Sequence, residues 1–456
     1  MTSRQQPSPP PHAESYAQPH AESGSEPHAP SRPSAGRRRR ASAAAAAAAA
    51  VPGGAVRNGF GTLGAGAVEP AAESLLESGA FGGLGGLARV VDLLAARAGE
   101  QDAEAAYPYQ GVEVVHESGL AGATIGRRYD GPGAGLADTV RVLRELGSGD
   151  PSVALITAGT LLFHAEQART DRWGDQLYQA VLADAEHGSA PVGLLCARPG
   201  AEPQVTAAAD PDGGRMLNGR RSGVVGSEAL GWLLLRALPE PADAPPADHT
   251  GPVTARQPAS PEPDLFLVPA DSPGLSVDPT ADPVGLRAAA PHDVLVDRVA
   301  VPPDAAAARL EPGQQALSRA WRALALPAIF LGAARSAREA LLSAVRPTGR
   351  RERELLVAVG ELDARLGAAE DALDALAAAV DRGRPDAIAR CGAAGALALR
   401  NATAIGSLAA RTAGPDGVSR THPLERHLRD LLAARLYLPD ESATLATAGA
   451  NALNLG

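Results

Sequence analysis

The chain has 456 residues, 45% of them hydrophobic, with a formal net charge of −10 and a sequence pI near 5.5. That length is enough for two or three domains with real cores, and the acidic balance disfavours a protein built around nucleic-acid phosphates. All 42 basic residues are arginine and aromatics make up only 3%, which excludes Schiff-base and P-loop chemistry that needs a lysine amine, and argues against base-stacking platforms.

Residues 1–66 are rich in Pro, Ser, His, Ala and Gly, with an arginine block at Arg37 to Arg40 followed by an alanine run ending at Ala50. Such a segment buries too little apolar surface to offset its ordering entropy, so a disordered tail is expected. Alanine makes a feeble export signal and Pro52-Gly53-Gly54 cuts it short; no run of about 18 strongly apolar residues occurs, so no membrane span is expected. From Val68 to Arg97 apolar residues recur at helical spacing, and the glycines between 79 and 86 predict two short helices. Further helices are predicted over Leu136 to Leu146, Pro151 to Ala168 with Asp150 as its cap, and Asp175 to Glu186, making 67–188 an α-helical domain.

At about Gly188 the period becomes strand-like. Short apolar runs at Val192 to Ala197, Met216-Leu217, Val224-Val225, Trp232 to Leu238 and Leu265 to Val268 predict a small antiparallel barrel or sandwich over 189–310. A Pro-rich insertion at 239–263 reads as a surface loop between strands. Val294, Val296, Val299 and Val301 then suit a half-buried strand or strand pair stopped by Pro302-Pro303. Beyond it, Leu317 to Val345, Arg351 to Arg382, Pro385 to Arg411 and Leu424 to Leu436 read as four helices of a bundle spanning 311–456. Cys196 and Cys391, the only two cysteines, support neither a disulfide framework nor a cysteine-rich zinc site, so a reducing, cytoplasmic setting is expected and no metal. His422 and His427 lack the spacing that puts two ligands on one helical face.

The run GLRAAAPHDVLVDRVAVP from Gly285 to Pro302 resembles the end of the β-domain in the acyl-CoA dehydrogenase superfamily, and ESGLAGATIGRRYDGPGAGLADTVRVLRELGSGDPSVAL from Glu117 to Leu155 looks like that superfamily's N-terminal domain. The resemblance implies an N-terminal all-α domain, a central antiparallel β-barrel and a C-terminal four-helix bundle. It further implies a flavin-dependent oxidoreductase carrying FAD and oxidising a CH–CH bond of an acyl-CoA or acyl-thioester-like substrate. A homodimer or homotetramer formed through the bundle, served by an electron-transfer flavoprotein, would follow, with no nucleic-acid or membrane partner.

By the same resemblance, Cys196, Ala197 and Gly200 lie against the flavin, with Ala197 standing where the family has a threonine. NGRRSGVVGS from Asn218 to Ser227 is similar to the second flavin-facing strand; Gly223 replaces its tryptophan and Val225 its hydroxyl residue, which leaves Ser227 as the nearest hydroxyl. Gly414, Gly417 and Arg346 take the places that meet the phosphates of a dinucleotide. Arg426 and Arg429-Asp430 match the last-helix signature, and that alignment puts Tyr437 on the tyrosine before the catalytic glutamate and Leu438 on the glutamate itself. Arg322 occupies the other position used for that base, so Asp440 and Glu441 are the nearest carboxylates, and Tyr437, Asp440 and Glu441 are the candidate catalytic residues. Leu424-Glu425-Arg426-His427 and Pro439 also resemble the branch that oxygenates aromatic substrates, such as the dibenzothiophene monooxygenases. That branch implies FMN or a reduced flavin supplied by a reductase. A third reading is a member without catalysis, serving as a binding subunit.

Overall fold

The computed structural model describes residues 83–194, 205–210, 213–240, 262–279, 281–438 and 440–453. The expected tail over 1–66, nearly all of the insertion, and Cys196, Ala197 and Gly200 lie outside them. Of the two short helices the sequence predicts between Val68 and Arg97, the first lies outside the described residues, and the second is the start of a longer helix, α1 (Gly83–Glu104). Its glycines at 85 and 86 fall in the first turns, while Leu87, Val90, Leu94 and Ala98 form a buried stripe whose docking outweighs the roughly 1 kcal/mol each glycine costs. It is followed by α2 (Tyr109–Glu117), α3 (Leu136–Gly149), α4 (Pro151–Thr170) and α5 (Asp175–Glu186). Helix α4 begins as its sequence predicts: Pro151 takes the first position and the Ser152 N–H donates to Asp150 Oδ1 at 2.7 Å. Every residue from Pro151 to Gln167 is buried, so α4 has no solvent face and must be enclosed on all sides.

The β region is a mixed six-stranded sheet, not an antiparallel barrel. Strands β1 (Val205–Ala209), β2 (Arg215–Val224), β3 (Trp232–Pro239), β4 (Asp264–Pro269), β5 (Leu275–Asp278) and β6 (His292–Val301) lie in the order β4-β3-β1-β2-β6-β5. The chain turns from β1 into β2 as a hairpin, then crosses back at Val225 to Gly231 and returns on the far edge of β1, so β3 runs parallel to it. Two reversals restore the direction, which an alternation of apolar runs does not reveal. Strand β6 is one strand. Its inward valines skip from 296 to 299 because Arg298 sits at φ +51°, with its N–H donated to Asn218 Oδ1 at 2.9 Å, forming a bulge opposite β2.

The C-terminal region holds α6 (Pro312–Val345), α7 (Arg353–Asp381), α8 (Pro385–Ala413), α9 (Pro423–Ala433) and a short α10 (Glu441–Ala452) beyond the four expected helices. None of these is long and apolar enough to cross a membrane, nor is any other described helix. Close crossings are made by glycine. A Cβ on Gly147 would strike the Ile329 carbonyl and one on Gly332 the Arg144 carbonyl, so α3 and α6 pass backbone to backbone through reciprocal gaps. At Gly395, α8 rests on the Ala323 carbonyl, the group left without a helical donor by Pro327 four residues on. Charge ties the same elements: Arg144 pairs with Asp374, Arg335 bridges Glu145 and Glu370, and the Leu136 and Ala137 N–H groups at the start of α3 donate to Asp381 at 2.8 and 2.9 Å.

Helix α9 joins three parts of the chain. Arg429 grips Asp102 of α1 through Nη1 and Nη2 at 3.0 and 2.6 Å and also donates to the Val284 carbonyl, while the Leu286 N–H donates to Asp430 Oδ1 at 2.7 Å. Burial raises the Asp430 pKa to about 7, against the lowering pull of the Leu286 N–H and Arg426 and with the help of Asp102 and Asp150. A carboxyl whose folded pKa lies above its unfolded value near 4 holds a proton that unfolding releases, so its contribution favours the folded state at low pH and is lost as pH rises from about 4 to about 7. Asp430→Asn keeps an acceptor for Leu286 and should remove this slope, so that denaturant melts at pH 5 and pH 8 show the variant gaining on the wild type at the higher pH. Gly395→Val should destabilise by roughly 2 kcal/mol or more by overpacking against a backbone carbonyl, measured as a shift of the urea midpoint at constant slope.

Candidate active site

The site is built around α4. On one face, Ile156, Thr157, Thr160 and His164 line a cleft of about 400 Å³ closed by α2, the loop around Ile125 and α5. On another face, Gly159 lies against the Val192 carbonyl, where any Cβ would clash, and the Val192 N–H donates to Thr160 Oγ1 at 3.0 Å. This seats Val192 to Leu194, the lead-in to the expected flavin segment, directly on the helix. Between them Glu166, Phe163, Leu194 and Arg322 enclose a slot of only about 10 Å³. Burial alone would raise the Glu166 pKa, but Arg172, 2.5 Å away, and then Arg322 hold its carboxyl below the usual range. Beside it the Arg169 guanidinium lies 4.0 Å over the Trp321 ring, with Nε and Nη1 buried and unpartnered, and burial lowers its pKa to about 10.

The exit of β2 meets α4 at Gly226, whose φ of +73° requires glycine and whose Cβ position lies 3.3 Å from Ile156 Cγ1. The Gly226 N–H donates to the Ala289 carbonyl at 2.7 Å and Ser227 Oγ to the Ala290 carbonyl at 2.9 Å. Because Leu286 in that same turn is held by Asp430, an unbroken path of hydrogen bonds and packing runs from α9 through 286–290 and the β2 exit to the cleft wall.

Of the residues singled out in the sequence, Val225 is 1% exposed in the main core and Ser227 has given its hydrogen to Ala290. Tyr437 and Leu438 are buried in the same core, at 6% and 5% exposure. Asp440 is exposed and caps α10 by accepting the Ala443 N–H at 2.7 Å, and Glu441 accepts from Arg400 Nε at 2.8 Å. Gly414 and Gly417 lie in one turn closing α8, with Gly417 backed against the Ala410 carbonyl, and Arg346 is largely exposed at the end of α6, 3.9 Å from Glu339. None of these three shares a hydrogen bond or ion pair with the β2 exit among the described residues. His427 is buried, not a solvated cap, and burial lowers its pKa to about 3, whereas His422 does cap α9.

The described residues fit a flavin in one respect. At Gly223, φ +64°, no atom lies within 4 Å of a Cβ position, so the backbone beside the β2 exit is uncovered and accessible to the face of a ring. Val225 and Ser227 would then flank such a ring through their backbone. Among the described residues no cluster of metal-ligating side chains occurs. The sequence reading missed His164 and the pairing of Glu166 with Arg172 beside Arg322. A signal for the first was present: Thr157, Thr160 and His164 recur at three and four residues on an otherwise apolar helix, the mark of a polar stripe facing a cavity.

Comparison with known proteins bears on this arrangement. Residues 89–174 match a model of the acyl-CoA dehydrogenase N-terminal domain and residues 324–439 one of the acyl-CoA dehydrogenase C-terminal domain. The chain is 25% identical over 379 residues to a putative acyl-CoA dehydrogenase, YdbM, of Bacillus subtilis (strain 168), covering 79% of this chain and 93% of that protein. It is 27% identical to the amino sugar nitrososynthase DnmZ of Streptomyces peucetius, over 77% of this chain and 88% of the other. In fold it is similar to the FMN-bound dibenzothiophene monooxygenase TdsC from Paenibacillus sp. A11-2, with a TM-score of 0.68, 20% identity, and coverage of 81% and 96%. The chain thus carries an acyl-CoA dehydrogenase N-terminal domain and a C-terminal domain, in that order, on either side of the six-stranded sheet.

Proposed function

We propose that the protein is a flavin-dependent oxidoreductase that uses reduced flavin, supplied by a separate reductase, and dioxygen to oxygenate a small molecule held in the cleft beside α4. The observation that carries this reading is that, among the described residues, no unpaired carboxylate stands at either expected base position: Glu166, in the slot with Arg322, is paired with Arg172. Dehydrogenation next to a thioester needs a base for the α-proton. By the resemblance Leu438 and Arg322 stand at the two positions where the family carries it, and the carboxylates nearest to Leu438 in sequence, Asp440 and Glu441, are engaged with the α10 backbone and with Arg400. Oxygenation with reduced flavin does not need that base. The flavin, when bound, supplies the two-electron chemistry; the protein's part is to hold it along Gly223 to Ser227, to bind the substrate against Ile156, and to keep water away by the burial of α4. DnmZ and TdsC, an amino sugar nitrososynthase and a monooxygenase by name, agree with it, and FMN is bound in TdsC. The same reading includes three domains at 67–188, 189–310 and 311–456 and a homo-oligomer formed through the bundle.

Anaerobic titration is expected to show saturable uptake of reduced FMN, while butyryl-CoA leaves the colour of oxidised flavin on the protein unchanged. Bleaching by the thioester would return the protein to dehydrogenation, and failure to take up flavin in either redox state would leave a binding subunit. Tyr437→Phe keeps the buried ring and removes only its hydroxyl; if that hydroxyl serves the reaction, turnover should fall by about two orders of magnitude with an unchanged melting temperature. Unaltered turnover would remove Tyr437 from the mechanism.

A further inference from the structure

The cleft beside α4 has a charge pattern that sorts its occupants. Its walls are apolar, formed by Val115, Ile125, Ile156 and Val181. Thr157 and Thr160 direct their hydroxyls inward, to the Val153 carbonyl and the Val192 N–H. His164 is 2% exposed and lines the floor, and the one hydrogen bond its ring makes to the protein is through Nδ1, 2.8 Å from the Tyr178 hydroxyl. Nε2 is thereby left to the occupant. Burial holds the imidazole neutral, lowering its pKa to about 3. At the rim stand two exposed carboxylates, Asp130 and Glu186; a second histidine, His116, also lines the cleft, but no arginine does, and arginine supplies all 42 of the chain's Lys and Arg side chains. Arg128, next to the lining residue Tyr129, is turned to Asp171 and to the Gln167 carbonyl.

A ligand with a diphosphate or a coenzyme A handle would meet two carboxylates here and no guanidinium in the lining, the Arg128 group lying over the Tyr129 ring and paired with Asp171. An ammonium group would meet the reverse. We propose that the cleft binds a compact organic amine without a phosphate handle, its apolar body between Ile125 and Ile156, a hydroxyl or similar group at the far end on His164 Nε2, and its cationic nitrogen at the rim facing Asp130 and Glu186. This rests on the cleft being the substrate site of the preceding section, but it is stated for binding alone and does not depend on flavin.

Isothermal titration of the full chain without flavin tests it, with tyramine, phenethylamine, 3-(4-hydroxyphenyl)propionate, butyryl-CoA and thymidine diphosphate as probes. Tyramine should bind tightest, phenethylamine several-fold more weakly for want of the hydroxyl, and the propionate at least tenfold more weakly for its reversed charge. His164→Phe should abolish the difference between the first two. Asp130→Asn with Glu186→Gln, both at the exposed rim where folding is not at stake, should abolish the difference between tyramine and the propionate. Binding of the propionate, the thioester or the nucleotide as tightly as tyramine would overturn the proposal, as would no binding of either amine, or charge discrimination that survives the rim substitutions. Amine binding by a protein that takes up no flavin would keep this inference and end the oxygenation reading; flavin uptake without charge discrimination would do the opposite.

Discussion

A helix without a polar face cannot rest at a surface, and the burial of α4 from Pro151 to Gln167 sets the terms for the elements around it. Its N-terminus is closed by Asp150, itself fully enclosed, and its flanks are covered by α3 and α6, by the lead-in at Val192 to Leu194, and by the β2 exit at Gly226. Two of these contacts are possible only at glycine, because Gly159 and Gly226 bring backbone or branched side chains within the radius of a methyl group. Enclosing an apolar helix of this length is favourable by well over 10 kcal/mol in transfer free energy, at about 25 cal/mol per Å². That exceeds what any single polar contact at the site contributes, so the cleft and the slot are what remains between covers drawn together for another reason.

What the apolar covers leave undetermined is their register, and ionic contacts supply it. Asp381 reaches from the end of α7 to the first turn of α3, and Arg429 with Asp430 reaches from α9 to α1 and to the turn at 284–286. Both pin unsatisfied backbone N–H groups, which in a buried setting cost about 1–3 kcal/mol each if left alone. The acid on α9 also has a raised pKa, because it is fully buried and, secondarily, because Asp102 and Asp150 stand nearby. An arrangement that crowds three carboxylates around one junction would be unstable without Arg426 and Arg429, which explains why arginines and acids alternate on this short helix.

How much of this was legible in the chain depends on how local its cause is. The caps and starts of α3 to α5 and the ends of α6 to α8 follow from proline, aspartate and apolar spacing over a few residues, and the structure places them within a few residues of expectation. The start of α1 among the glycines at 83, 85 and 86 was hidden because the glycine penalty is local while the docking that overcomes it is not. The parallel pairing of β1 with β3 was hidden for the same reason: it depends on a crossover whose path is decided by where α4 stands. At the site, the order of residues gives only the expectation that Leu438 stands at the glutamate position, and the engagement of Asp440 and Glu441 was not legible, since a carboxylate's partner is a fact of three dimensions.

The residues that hold the fold and those that would carry chemistry form two separate sets. Gly147, Gly332, Gly395, Asp381, Arg429 and Asp430 make the crossings and pins. None of them touches the cleft or the slot. Leu438, Arg322 and Val225, which the resemblance puts at catalytic and flavin-facing positions, are not among the pins. A chain can therefore keep the superfamily's architecture while its reaction changes, because swapping a side chain at the second set costs none of the contacts made by the first. That separation is why an apolar helix, three glycine crossings and a buried arginine-acid junction specify a family here, while the reaction must be argued from a leucine, two engaged carboxylates and the charges around one cleft.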